Sequence, residues 1–177
     1  VTATDDGDAT APSVNFTTQA VTITVNAVND APTFDDIADV TIAEDNSATA
    51  VQVTNIDPGG GADEADQVVT LDAKSADTTL IADLTVSGDT VTFTPEPDAN
   101  GEVEITVTAT DDGESDSPNM NAYSYTFVVT VTAVNDAPIF DDVADMEVDE
   151  DAGSADVTFT GVGPGGGDDE SGQTVTM

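Results

Sequence analysis

The sequence predicts an all-β protein: tandem Greek-key β-sandwich domains of about seven strands each, joined end to end by short linkers. Three observations lead there. Thr and Val alternate with period two in segment after segment, as in Val21-Thr-Ile-Thr-Val25, Val91-Thr-Phe-Thr94 and Val103-Glu-Ile-Thr-Val-Thr108, the pattern of strands with one buried face. No segment carries the 3.6-residue apolar period of an amphipathic helix. The chain also repeats itself: residues 1–71 lie on 107–177 without a gap, with 35 identities in 71 at an offset of 106.

That offset is the size of one sandwich domain, so each unit can bury its own core. The chain of 177 residues then divides into the C-terminal part of a preceding repeat (1–31), a complete repeat (32–137) and the N-terminal part of a following one (138–177). Within the complete repeat, strands are expected near 38–43, 49–55, 67–73, 80–87, 90–94, 102–110 and 121–133. Turn chemistry separates them. Gly88-Asp89 makes a tight turn, Pro95 to Gly101 a loop, Asp57 to Asp66 a loop around Pro58-Gly-Gly-Gly61, and Asp111 to Pro118 the start of a longer loop. No Lys and no helix follow Pro58-Gly-Gly-Gly61, so it reads as a flexible connection and not as a phosphate loop.

Composition narrows the chemistry. There are 37 acidic residues against one basic residue, Lys74, for a formal net charge of −36. Self-repulsion of that size opposes a compact state unless salt screens it or bound cations neutralise it. Nucleic acid and anionic membrane surfaces are excluded as partners because there is no basic surface to meet phosphate. No apolar run reaches the roughly 20 residues of a membrane span. Cys and His are both absent, which removes disulfides, zinc and copper sites, and Ser-His or Cys-His nucleophiles. What remains is carboxylate, amide and carbonyl oxygen, the donors of calcium. No signal peptide is visible, and residue 1 falls inside a predicted strand, so the sequence reads as a piece of a longer secreted polypeptide.

The acids are placed unevenly. Strand alternation puts the loops holding Glu44, Asp45, Asp98 and Asn100 at one end of the unit, beside the exit linker Asn135-Asp136-Ala-Pro138. It puts those holding Asp63, Glu64, Asp111 and Asp112 at the other end, beside the entry linker Asn29-Asp30-Ala-Pro32. Stacked units would bring the two ends together, and a hard cation needs six to eight oxygens in such a place. Asn29, Asp30, Glu44, Asp45, Asp63, Glu64 and the Asp111-Asp112 pair have identical counterparts one repeat away, whereas Thr41 becomes Glu147 and Ala50 becomes Asp156. Plain solvation of an acidic surface is the competing reading. Asp112 and Asn100 also suit turns for backbone reasons alone.

These residues carry a family resemblance. Val107-Thr-Ala-Thr-Asp-Asp-Gly113 resembles the cadherin pattern ending in Ala-x-Asp-x-Gly. Asn-Asp-Ala-Pro-x-Phe, at 29–34 and 135–140, resembles the cadherin linker Asp-x-Asn-Asp-Asn-x-Pro-x-Phe. Over its whole length the chain is similar to the tandem cadherin-like repeats of large bacterial surface proteins and adhesins. The resemblance implies calcium between domains. Its ligands would be Asn29, Asp30, Asp63, Glu64 and Asp111 at the upper junction, and Glu44, Asp98, Asn100, Asn135, Asp136, Asp169 and Glu170 at the lower one. Ala27 and Ala133 replace the first linker Asp, and the linker is shorter than the cadherin one. Fewer ions per junction follow than in animal cadherins, about one or two.

The expected function is structural or adhesive, outside the cell, in a surface protein or fibre. Partners would be neighbouring repeats, identical protomers, or a cell-surface protein or glycan. Enzymatic activity is not expected, because catalytic residues have no reason to recur every 106 positions. The alternative is a glycan- or ligand-binding module, or a spacer attached to an enzyme. An aromatic content of 5% with no Trp argues against sugar stacking. Asn15-Phe-Thr17 forms a glycosylation sequon that the matching Asn121-Ala-Tyr123 lacks.

Overall fold

The computed structural model describes residues 1–7, 16–116 and 118–177. Asn15 of the sequon therefore lies outside the described residues. The strands are β1 (Thr2–Thr4), β2 (Phe16–Thr18), β3 (Val40–Ala43), β4 (Thr49–Gln52), β5 (Thr70–Ser75), β6 (Ile81–Ser87), β7 (Thr90–Pro95), β8 (Gly101–Thr110) and β9 (Ala122–Thr132). Among the described residues there is no helix, and so none long and apolar enough to cross a membrane.

Strands β3 to β9 form one sandwich, and each overlaps one of the seven expected segments. One sheet has the order β3-β9-β8-β5 and the other β4-β7-β6. Seven strands of alternating direction make the first and last run the same way. Their pairing, from Val40↔Val129 to Ala43↔Thr132, is therefore parallel, while the remaining pairs are antiparallel. The β8–β9 hairpin pairs from Gly101↔Val131 to Thr110↔Ala122 and forms the centre of the larger sheet. Strand β6 carries a bulge between Ala82 and Thr85, with Asp83 at φ 49°. Gly88, at φ 61°, turns β6 into β7 where most side chains would be strained.

The period-two pattern becomes the core. Val91 and Phe93 of β7, Val103, Ile105, Val107 and Ala109 of β8, and Phe127, Val129 and Val131 of β9 all point inward and are buried. Phe34, Ile37, Ile42, Val53, Leu80 and Ile81 complete the cluster from the remaining strands and connections. Phe34, four residues past the entry linker's Asp30, packs edge-on against Tyr123 at 5.0 Å between ring centroids. The residues just after the linker are thereby anchored to the sandwich.

The sequence repeat reappears as repeated geometry. Strands β1 and β2 pair Thr2↔Thr18, Ala3↔Thr17 and Thr4↔Phe16, which is the β8–β9 register shifted by 106. The isolated bridge Thr33↔Asp57 recurs as Ile139↔Gly163.

The flanking residues depart from the expected strands. Residues 133–177 contain no strand, although the 106-residue repeat places the counterparts of the first three expected strands there. Residues 19–28 are equally irregular. The cause is missing neighbours. Val129 and Val131 are buried because β9 lies between β3 and β8. Their counterparts Ile23 and Val25 stay 83% and 89% exposed, since no described strand lies on either side of them. Likewise Met146 and Val148, counterparts of β3 residues, have no partner equivalent to β9 and are exposed.

Candidate metal centre

Two oxygen-rich clusters occupy the two ends of the sandwich. The upper one is organised around Asn29, which is nearly fully buried at 9% exposure. Its backbone is fixed on both sides: its N–H donates to Asn119 Oδ1 at 2.9 Å, and its carbonyl accepts from Met120 N–H at 2.9 Å. Its side-chain amide donates to the Met120 carbonyl at 2.6 Å and to Asp111 Oδ1 at 3.2 Å, and its Oδ1 accepts from Gln67 Nε2 at 2.6 Å. A single linker residue thus ties the loop after β8 to the loop before β5. Gly113 lets the chain pass, because a Cβ there would overlap Asn29 Oδ1.

Glu64 is the deepest acid of this cluster, at 1% exposure. Its Oε1 accepts the Asp30 N–H at 3.0 Å, while its Oε2 is buried with no hydrogen-bond partner. Asp111 Oδ2 and Gln67 Oε1 are buried and unpartnered as well. Unsatisfied buried acceptors, two of them on carboxylates, are costly unless a cation meets them. A cleft of about 360 Å³ lies here, lined by Asn29, Asp63, Glu64 and Gln67 among others.

The lower cluster repeats this arrangement and adds to it. Glu170 Oε1 accepts the Asp136 N–H at 2.9 Å, and Gln173 Nε2 donates to Asn135 Oδ1 at 3.1 Å. Glu170 Oε2 is again buried without a partner, as is Asp136 Oδ2. From the sandwich side come Glu44, Asp98 and Asn100. Glu44 is 1% exposed, and its Oε1 accepts the Val134 N–H at 2.6 Å. The Asn100 side-chain amide bridges Glu44 Oε2 at 3.2 Å and Asp169 Oδ1 at 3.0 Å. The Asp136 carboxyl is pushed above the ordinary 3.8, first by burial, then by the nearby Asp98 carboxylate, and then by the negative charges of Glu44 and Asp169.

The glycine-rich loop and its repeat both come close to the acids. Gly59 sits where a Cβ would stand 2.7 Å from Glu64 Oε2, and Gly166 where it would overlap the Asp98 carboxylate. Glycine lets the backbone come up against both clusters. Gln67 was not among the expected site residues, although its match to Gln173 is visible in the repeat. Asn119 has no such signal, since Ser13 stands at the matching position.

Two expected site residues fall outside. Asp45 is exposed in the turn after β3. Asp112 Oδ1 accepts the Val68 N–H at 2.9 Å, so it fastens one loop to the next. Asp63 is exposed and lines the upper cleft.

The donor set is all oxygen, which suits a hard divalent ion. Among the described residues no three or more Asp or Glu side chains are grouped so as to hold a metal ion by themselves. A cation at either cluster would have to complete its shell with amide, backbone carbonyl and water oxygens, or draw the carboxylates inward.

A family model described as a bacterial Ig domain matches residues 29–123, from the upper linker through most of the sandwich. No curated protein matches the chain.

Proposed function

We propose that this chain, which belongs to the bacterial Ig domain family, is a structural or adhesive repeat segment of an extracellular surface protein or fibre, stiffened by calcium at the junctions between repeats. Members of this family are non-catalytic modules typical of surface proteins. The finer reading, with residues 1–31, 32–137 and 138–177 as parts of successive repeats, rests on the 106-residue self-match and on the geometry that recurs with it.

One observation carries the calcium reading. The same device is built at both linkers: a buried Glu, 64 or 170, holds the linker Asp N–H with one oxygen and leaves the other unpartnered. A purely solvated acidic surface gives no reason to bury a carboxylate beside others. In a chain with a single basic residue, no side-chain cation is at hand for both ends. Bound calcium supplies the missing positive charge. Around it, Glu64, Asp111, Asn29 and Asp30 would hold the upper linker, and Glu44, Asp98, Asn100, Asn135, Asp136, Asp169 and Glu170 the lower one. With their repulsion cancelled, linker and loops become one rigid body.

The test is titration of the chelated chain with calcium, followed by thermal melting and small-angle scattering. A rise in Tm together with a longer, narrower particle is expected. If neither the Tm nor the maximum dimension moves between EDTA and millimolar calcium, the reading fails.

A further inference from the structure

We infer that Asn100 is a site of spontaneous deamidation, and that this modification converts the amide bridge of the lower junction into a repulsive carboxylate contact. Asn100-Gly101 is the only Asn-Gly step in the sequence. Glycine has no side chain to hinder attack on the preceding residue, so this step is the most reactive amide-bearing dipeptide the chain has. The reaction balances within the chain plus one water. The Gly101 backbone nitrogen attacks Asn100 Cγ, and the new Cγ–N bond closes a five-membered imide. The Cγ–Nδ2 bond breaks, and the departing nitrogen takes up the peptide proton and leaves as ammonia. Water then opens the imide at either carbonyl, giving Asp or isoAsp at this position.

The surroundings determine both rate and consequence. Asn100 is exposed, so water reaches it, and Gly101 is the first residue of β8 and not an interior one. Two restraints oppose the attack. The amide is held by Glu44 Oε2 and Asp169 Oδ1, and Gly101 is paired with Val131. The reaction should therefore proceed when the junction opens and the end of β8 frays. Its product has no donor left. Where Nδ2 bridged two carboxylates, a third negative oxygen would face Glu44 and Asp169, with Asp98 and Asp136 close by. One chemical event removes two charge-assisted bonds and adds like-charge repulsion. It detaches residues 164–170 from the end of the sandwich and cannot be reversed by refolding.

The inference stands without calcium, since it uses only the amide and its two carboxylate partners. The experiment ages the intact chain at mildly alkaline pH in EDTA and maps peptides by mass spectrometry. Asn100 is expected to convert first, ahead of Asn46-Ser47, giving Asp and isoAsp products. An unchanged Asn100, when a synthetic peptide of residues 96–105 converts under the same conditions, overturns the reactivity. The consequence is read separately, by hydrogen exchange of residues 164–170 in Asn100→Asp and Asn100→Ala across a salt series. Both variants lose the bridge. Asn100→Asp should exchange faster than Asn100→Ala at low salt and converge with it at high salt. Identical exchange of the two variants at every salt concentration overturns the charge effect.

Discussion

Glu64 and Asp30 meet through a single hydrogen bond, Oε1 accepting the Asp30 N–H at 3.0 Å, and Glu170 and Asp136 repeat it at 2.9 Å. In both pairs the second Glu oxygen is buried without a partner. The carboxylate thus has a structural oxygen and a spare one. Glu64→Gln keeps an acceptor for the Asp30 N–H and removes the charge. We expect it to be no less stable than wild type in EDTA, because an uncompensated buried charge is gone. In calcium at ten times the dissociation constant it should lack about 1.4 kcal/mol of stabilisation per lost site. Calorimetry with and without calcium checks both halves.

Asp136 lies in the most crowded group of like charges. Its neutral form is favoured by burial, by Asp98, and then by Glu44 and Asp169. The native state therefore holds this proton to higher pH than the unfolded chain does. The resulting stability is fully present below the ordinary 3.8 and is lost as pH rises through the higher folded value. Asp136→Asn should abolish this component and tighten the calcium-free junction at neutral pH. It should also weaken calcium binding, so the effect of the substitution reverses sign between EDTA and calcium. Hydrogen exchange of residues 164–170 in the two buffers, with the pH series run in EDTA, provides the readout.

Gly113 tests the amide network in isolation. Its φ is not in the left-handed region, so alanine costs little through the backbone itself. The added Cβ would overlap Asn29 Oδ1 and stand 2.8 Å from Gln67 Nε2. Gly113→Ala must push Asn29 out of its four-way contact. A loss of about 1–3 kcal/mol is expected from such overpacking, measured by urea unfolding. A loss below a few tenths would mean that the linker yields freely there.

Most of the fold was legible because a sandwich strand advertises itself locally. Val103, Ile105, Val107 and Ala109 alternate in the sequence and are all buried. Residues 21–25 and 146–149 show where that logic ends. Their pattern is equally strand-like, yet burial needs neighbouring strands, and pattern alone does not supply them. The site divides in the same way. Acids shared between repeats marked Glu44, Glu64 and Asp111, all of which the fold buries. The same signal marked Asp45, which stays exposed. Identity between repeats records that a residue is kept, not which way it points. Asn119 reaches Asn29 from 90 positions away, a relation created by the loop and visible only once the chain has folded.

The core and the junctions should be energetically separable. Phe93 is fully buried between the sheets, on a strand paired on both sides with β4 and β6. Phe93→Ala leaves a large cavity and should cost about 3–5 kcal/mol. Phe93 belongs to the apolar cluster between the sheets, whereas Glu64 holds the linker at the end of the sandwich, so the loss should be the same in EDTA and in calcium. Glu64→Gln should show the opposite behaviour, a loss confined to calcium. A double-mutant cycle measured in both buffers then tests the division of labour. Additivity within about 0.3–0.5 kcal/mol is expected for sites this independent. A larger coupling in calcium would mean that ion binding at the linker reorganises the sandwich itself, and does not merely fix what is attached to its end.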